Sequence, residues 1–195
     1  MNNTITPINT ATATNTNTTE KGKPSQLRRK KLSSEKTWKQ RLVQVQRVSK
    51  VVKGGKKLSF RATLIVGNES GQVGVGVGKA DQVGTAVKKA ENDAKKNLIS
   101  IPLTKIKTIP HYTYGIDGAS KVFIKPAGPG TGVIAGSSIR MVLELAGIQN
   151  ILAKQLGGNN ALNNARATIV ALESLKTKQQ VSLERNIPLE RLFNT

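Results

Sequence analysis

The chain has 195 residues and a formal net charge of +20, with 31 Lys+Arg against 11 Asp+Glu, 37% apolar and 3% aromatic residues, one histidine and no cysteine. That allows one or two small domains with aliphatic cores, excludes disulfides and cysteine metal sites, and, with no run of about 18 apolar residues, excludes a transmembrane helix. The basic excess speaks to a partner rather than a fold: nucleic acid fits better than a membrane, because no basic amphipathic helix carries Trp or Phe on its apolar side.

In chain order, residues 1–19 are rich in Thr and Asn and nearly devoid of large apolar side chains. Such a segment cannot bury enough surface to fold, and it lacks the apolar core of a secretory signal. Residues 21–39 form a basic arm centred on Arg28, Arg29, Lys30 and Lys31. Charge concentrates here and just beyond, since residues 21–61 hold 15 Lys+Arg and a single acid, Glu35. Residues 1–36 are read as a disordered basic extension that continues into an RNA-contacting hairpin.

Residues 41–79 read as three β-strands joined by short glycine turns. Leu58, Phe60, Ala62, Leu64 and Val66 alternate with Ser59, Arg61 and Thr63, the period of a half-buried strand. Val73, Val75 and Val77 repeat it after the Gly67–Gly71 turn. The face opposite these valines is Gly74, Gly76 and Gly78, flat backbone that packs nothing of its own. Either another part of the chain covers it or a large rigid partner lies on it. The first turn sets Lys50, Lys53, Lys56 and Lys57 around Gly54-Gly55. Crowded like charges repel, an arrangement that makes sense if a polyanion neutralises them.

A helix follows, with Asp81 as its cap and Val83, Val87, Ala90, Ala94 and Leu98, with Ala86 beside them, as an apolar stripe. Strand-strand-strand-helix completes a first α+β domain over residues 37–101. A second domain, 102–178, is expected to run β-β-α-β-α. Its strands are read at 103–109, 121–125 and 148–154, with residues 116–119 as a turn. Its helices are read from a Ser137 or Ser138 cap to Ala146, stopped by Gly147, and over 161–176 with Ala165, Ile169 and Leu172 on one face. That order implies a split βαβ arrangement, two helices on one side of a four-stranded sheet. Residues 179–195 form a tail with a short helix beginning at Pro188.

The glycine-rich stretch 126–138 resembles a dinucleotide fingerprint only loosely and is no P-loop, since no Gly-Lys-Ser/Thr follows. A tight packing loop, or a backbone cradle for RNA or a neighbouring protein, fits it better. The single His111, beside Pro110, is read as structural or solvent-facing rather than catalytic. No catalytic residue, metal ligand, cofactor or small-molecule substrate is assigned, because the carboxylates are scattered and no acid–base pair stands out. The rival readings are a nucleotide-binding protein and a free-standing regulator that binds double-stranded RNA.

The residues also carry a resemblance. Arg47-Val48-Ser49-Lys50, Val52-Lys53-Gly54-Gly55, Ser59-Phe60, Val66-Gly67 and Gly76-Val77-Gly78-Lys79-Ala80 resemble the bacterial-type small-subunit ribosomal protein number five. So do Val122-Phe123, Pro126-Ala127, Gly130-Thr131-Gly132, Ile134-Ala135-Gly136, Arg140, Val142-Leu143-Glu144, Asn150 and Arg166-Ala167-Thr168. The resemblance implies an N-terminal domain related to double-stranded-RNA-binding modules and a second domain with a left-handed βαβ crossover. It implies a place near the messenger entry path and the decoding region, contact with small-subunit ribosomal RNA and with small-subunit proteins four and eight, and roles in assembly and accuracy. The loop matching residues 48–56 packs, in that family, on the RNA helix that binds spectinomycin. The expected RNA-binding set is Arg41, Arg47, Ser49, Lys50, Lys53, Gly54, Gly55, Lys56, Lys57, Arg61, Lys79 and Lys121. The expected protein interface is Gly130, Thr131, Gly132, Gly136 and Arg140. Lys56 and Lys121 stand where some relatives have arginine, keeping charge but losing the planar fork. The unmatched extension points to a plastid ribosome, or otherwise to the bacterial cytoplasm.

Overall fold

The computed structural model describes residues 38–189, which lie in one compact unit. Residues 21–37 of the expected basic arm and most of the helix placed from Pro188 lie outside these residues, and Lys39, read as the end of the arm, opens the first strand. The first sheet comprises β1 (Lys39–Val52), β2 (Gly55–Gly67), β3 (Gln72–Ala80) and β4 (Leu98–Ser100), antiparallel in the order β1-β2-β3-β4. Between β3 and β4 runs α1 (Val83–Lys96). The second sheet has β5 (Thr113–Asp117), β6 (Ser120–Pro126), β7 (Val133–Ile134) and β8 (Ile151–Gln155) in the order β5-β6-β8-β7, with β7 and β8 parallel. The helices α2 (Ser137–Ala146) and α3 (Ala161–Glu173) belong to this half, and α4 (Lys178–Arg185) follows.

The glycine face of β3 is explained within the chain. Ala62, Leu64 and Val66 of β2 lie opposite Gly78, Gly76 and Gly74 and share their face. Onto it packs α1 through its buried Ala86, Ala90 and Ala94. A Cβ on Gly76 would stand 2.2 Å from the Ala90 carbonyl oxygen, and one on Gly78 would stand 2.1 Å from that of Ala86. Small residues on both partners let helix and strand backbones approach this closely. The rigid outside partner is therefore not needed on that face.

The opposite face of the first sheet meets the second half. Ile65, Val73 and Val75 share one buried cluster with Val122 and Ile124 of β6, Ile139, Val142 and Leu143 of α2, Ile151 of β8 and Leu172 of α3. The layers run α1, first sheet, α2 with α3, second sheet. The second sheet thus keeps its two helices on one side, as the split βαβ reading requires.

Several local expectations are corrected. The α1 cap position is Gln82, not Asp81, and no side chain caps it; Asp81 instead accepts a hydrogen bond from the Ser59 hydroxyl at 3.1 Å. The stripe is Ala86-Ala90-Ala94, while Val83 is 40% exposed and Leu98 belongs to β4. Neither Ser137 nor Ser138 caps α2, because the helix already begins at Ser137 and Gly136 holds the cap position. Gly147 does terminate it, in the left-handed region at φ 86°. Residues 103–109 are not a strand. The Lys107 amide donates to Thr104 O at 2.9 Å, and Lys107 takes φ 53°, folding the segment into a tight turn. The strand read at 121–125 is a β6 longer by one residue at each end, and that read at 148–154 begins at Ile151. The turn after β5 is Gly118-Ala119 alone, since Ile116 and Asp117 still pair with Lys121 and Ser120. The helix read over 161–176 stops at Glu173, with Ala165 and Leu172 buried and Ile169 half-buried. The strands β4, β5 and β7 and the helix α4 are additions, β5 taking the place of the strand read at 103–109.

Candidate nucleic-acid interface

The β1–β2 hairpin outgrows its sheet. The last pair between β2 and β3 is Phe60 with Ala80, and Phe60 also faces Arg47 across to β1. Beyond that point residues 48–59 form a two-stranded ribbon closed by Gly54 and Gly55, at φ 92° and 153°. Nothing lies within 4 Å of a Cβ built on either glycine, so their conformation, not space, demands glycine there. The ribbon leaves its apolar residues uncovered, with Val51 73% and Leu58 50% exposed.

Cross-strand pairing sorts the cations. Lys50 lies directly opposite Lys57, and Val51 opposite Lys56. Opposed residues share a face, so the ribbon shows Lys50 and Lys57 on one side and Arg47 and Lys56 on the other. Like charges directly opposite destabilise a strand pair. Where the ribbon leaves the sheet and α1 begins, Lys50, Lys57, Lys79 and Lys89 line an open groove of about 750 Å³ with Ser59 and Asp81. Lys89 was not in the expected set; it sits off the apolar stripe of α1, which is the signal that marks it. Among the described residues, Asp81 is the only acid lining the groove.

The other expected cations fall differently. Arg61 donates to the Gln46 side chain at 2.5 Å. Arg41 is engaged by Glu144 of α2, and Arg140 donates to the same carboxylate at 2.7 Å. The Arg140 hydrogen bond, and then the nearby Arg41 charge, hold Glu144 below the usual carboxylate range against the opposing effect of partial burial. Lys121 stands on the second sheet, its ammonium 5.0 Å from the Tyr114 ring centre.

The glycine loop is pinned from within. Asn150, 7% exposed, accepts from the amides of Gly130 at 3.0 Å and Gly132 at 3.3 Å, and donates to Ile106 O at 3.2 Å. Thr131 closes back onto Gly128 O at 2.8 Å. Two amides that a phosphate cradle needs are already taken, which removes the basis for a nucleotide site here. Gly136 and Arg140 remain exposed at the start of α2. His111 is fully used: Nε2 accepts from the Lys176 amide at 3.0 Å, so Nδ1 carries the proton and donates to Tyr112 O at 2.9 Å. Among the described residues no group of three or more His, Cys, Asp or Glu is placed to hold a metal, and no helix is long and apolar enough to cross a membrane.

Comparison with known proteins identifies the family. The family described as ribosomal protein S5, N-terminal domain, matches residues 38–102, and ribosomal protein S5, C-terminal domain, matches 115–185. Small ribosomal subunit protein uS5 of Thermosynechococcus vestitus is 61% identical over 165 residues, covering 85% of this chain and 95% of that protein. The uS5 protein of Synechocystis sp. is 60% identical over 170 residues, covering 85% and 98%. Small ribosomal subunit protein uS5c of Pyropia yezoensis is 61% identical over 158 residues, covering 81% and 91%. With one family domain on each sheet and such identity along nearly the whole of these relatives, the chain belongs to the ribosomal protein S5 family, non-enzymatic structural constituents of the small ribosomal subunit.

Proposed function

We propose that this protein holds folded small-subunit ribosomal RNA through its lysine ribbon, while the second half docks against neighbouring proteins. The observation that carries this reading is the ribbon itself. It projects past the third strand, opposes Lys50 to Lys57, and leaves Val51 and Leu58 uncovered. Alone, it is a poor structure; against a polyanion its repulsion becomes attraction. Arg47, Ser49, Lys50, Lys53, Lys56, Lys57 and Lys79 meet the phosphates, with Gly54 and Gly55 letting backbone approach. Arg41 and Arg61 serve this surface less directly, since each is engaged by a neighbour within the chain. Folded RNA is read mostly by shape and phosphate, so the scarcity of aromatics on the ribbon is no obstacle.

The finer placement follows the family: near the messenger entry path and decoding region, beside small-subunit proteins four and eight, supporting assembly and accuracy. Gly130, Thr131, Gly132, Gly136 and Arg140 form the protein-facing surface, made rigid by Asn150 and by the Arg41–Glu144–Arg140 bridge. A plastid ribosome is the proposed setting, supported by the red-algal uS5c relative; the equally similar cyanobacterial relatives support the bacterial cytoplasm instead. Gradient sedimentation of an extract from the source tests the assignment. The protein is expected to travel with small subunits and to leave them at high salt; a protein remaining at the top of the gradient at low salt contradicts it.

A further inference from the structure

Among the described residues, the outer face of the second sheet is left largely open. Its inner face is filled by α3 and the shared core, and a Cβ on Gly115 of β5 would stand 1.9 Å from the Ala167 carbonyl oxygen. Pairing fixes what points outward. Tyr114 lies opposite Phe123 and Ile116 opposite Lys121; Phe123 lies opposite Lys154, and Lys125 opposite Leu152. These residues share one face, and Tyr112, two residues before Tyr114, continues it. Lys121, Lys125 and Lys154 are exposed, and Tyr112 and Tyr114 are 64% and 49% exposed. No acid stands at an outward position of β5, β6 or β8.

The aromatic residues are clustered. The rings of Tyr114 and Phe123 are 4.8 Å apart and those of Tyr112 and Phe123 are 6.4 Å apart, with the Lys121 ammonium 5.0 Å from the Tyr114 ring. A cross-strand aromatic pair stabilises a sheet by itself. That role does not account for two tyrosines left half-open, nor for three uncompensated lysines around them. Flat rings on a sheet, flanked by cations and free of acids, match the chemistry of unpaired nucleotides, whose bases stack on aromatic rings while phosphates meet lysine.

We infer that the outer face of β5, β6 and β8 is a second RNA surface, which takes an unpaired RNA stretch by stacking on Tyr112, Tyr114 and Phe123, with Lys121, Lys125 and Lys154 on its phosphates. The inference rests on the reading of the protein as an RNA binder but differs from it in mode: the ribbon grips folded RNA by charge and shape, and this face grips bases.

The test measures binding of the full chain to two labelled RNAs, an unstructured strand of about 12 nucleotides and a duplex of about 16 base pairs. The double variant Tyr112→Ser with Tyr114→Ser is expected to lose about tenfold or more in affinity for the strand, the range for lost base stacking. Its duplex affinity is expected to stay within about twofold, since the ribbon is untouched. Tyr114→Phe keeps the ring and should keep the strand affinity. Lys53→Ala with Lys56→Ala should show the reverse pattern, so failure of the ribbon and failure of this face are told apart. The inference is overturned if the tyrosine variant binds the strand as the natural chain does, or if it loses both RNAs equally. It is likewise overturned if the variant binds both RNAs normally yet no longer joins a neighbouring subunit protein, which would make the face a protein interface.

Discussion

Gly76 shows how one missing side chain sets a whole contact. Its absent Cβ leaves room for the Ala90 carbonyl 2.2 Å and the Ala94 amide 2.3 Å from where a methyl would be. Gly76→Ala is therefore expected to cost about 1–3 kcal/mol through overpacking, read by chemical denaturation. Gly84→Ala is the counterpart: nothing lies within 4 Å of the added methyl, and the residue is helical. It should stabilise by up to about 1 kcal/mol. Glu144 gives a prediction in pH. Its carboxyl is held low by the Arg140 hydrogen bond and then by Arg41, so the folded state favours the ionised form. The resulting stability is fully present above the unfolded carboxyl value of about 4.3 and is lost as pH falls through the lower folded value. Because both arginines of the bridge are more than half exposed, the effect should stay within about 1 kcal/mol. Natural protein should lose unfolding midpoint relative to Glu144→Gln as pH drops below about 5; parallel curves would contradict the bridge.

At the scale of elements, pattern reached as far as periodicity does. Long alternating runs announced β2 and β3, and Gly147 announced the end of α2. Two-residue β7 and three-residue β4 are too short to show a period. Residues 103–109 carried apolar residues that looked strand-like, but Lys107 takes a left-handed turn and Ile106 is 52% exposed. The basic hairpin was legible from its lysines and glycines; its length beyond the sheet was not, because that depends on where β3 stops. The glycine face was legible as flat, but what covers it is a tertiary fact. The Asn150 clamp was also out of reach, since its partners at Ile106, Gly130 and Gly132 are distant in sequence. Asn150→Ala should cost about 1–3 kcal/mol, because it strips partners from a buried site. It should also raise amide exchange at Gly130 and Gly132. Unchanged exchange there would show that the loop holds its shape without the clamp.

The whole molecule depends on a core that belongs to neither sheet alone. The β2–β3 turn is tied to α2 as well, with the Glu69 amide donating to Leu145 O at 3.0 Å and the Gly71 amide to Ala146 O at 2.9 Å. Two sequence domains joined in this way are expected to unfold in one transition that different probes report alike; two resolved transitions would contradict a shared core. Such a body can present a marginal ribbon to RNA without losing its own shape, because the ribbon's exposed residues contribute little to it. Binding of a small-subunit ribosomal RNA fragment across a salt series tests that division of labour most directly. For Lys53→Ala the slope of log affinity against log salt is predicted to be shallower than that of the natural chain by about 1, with the unfolding midpoint unchanged. An identical slope for the two proteins would contradict it.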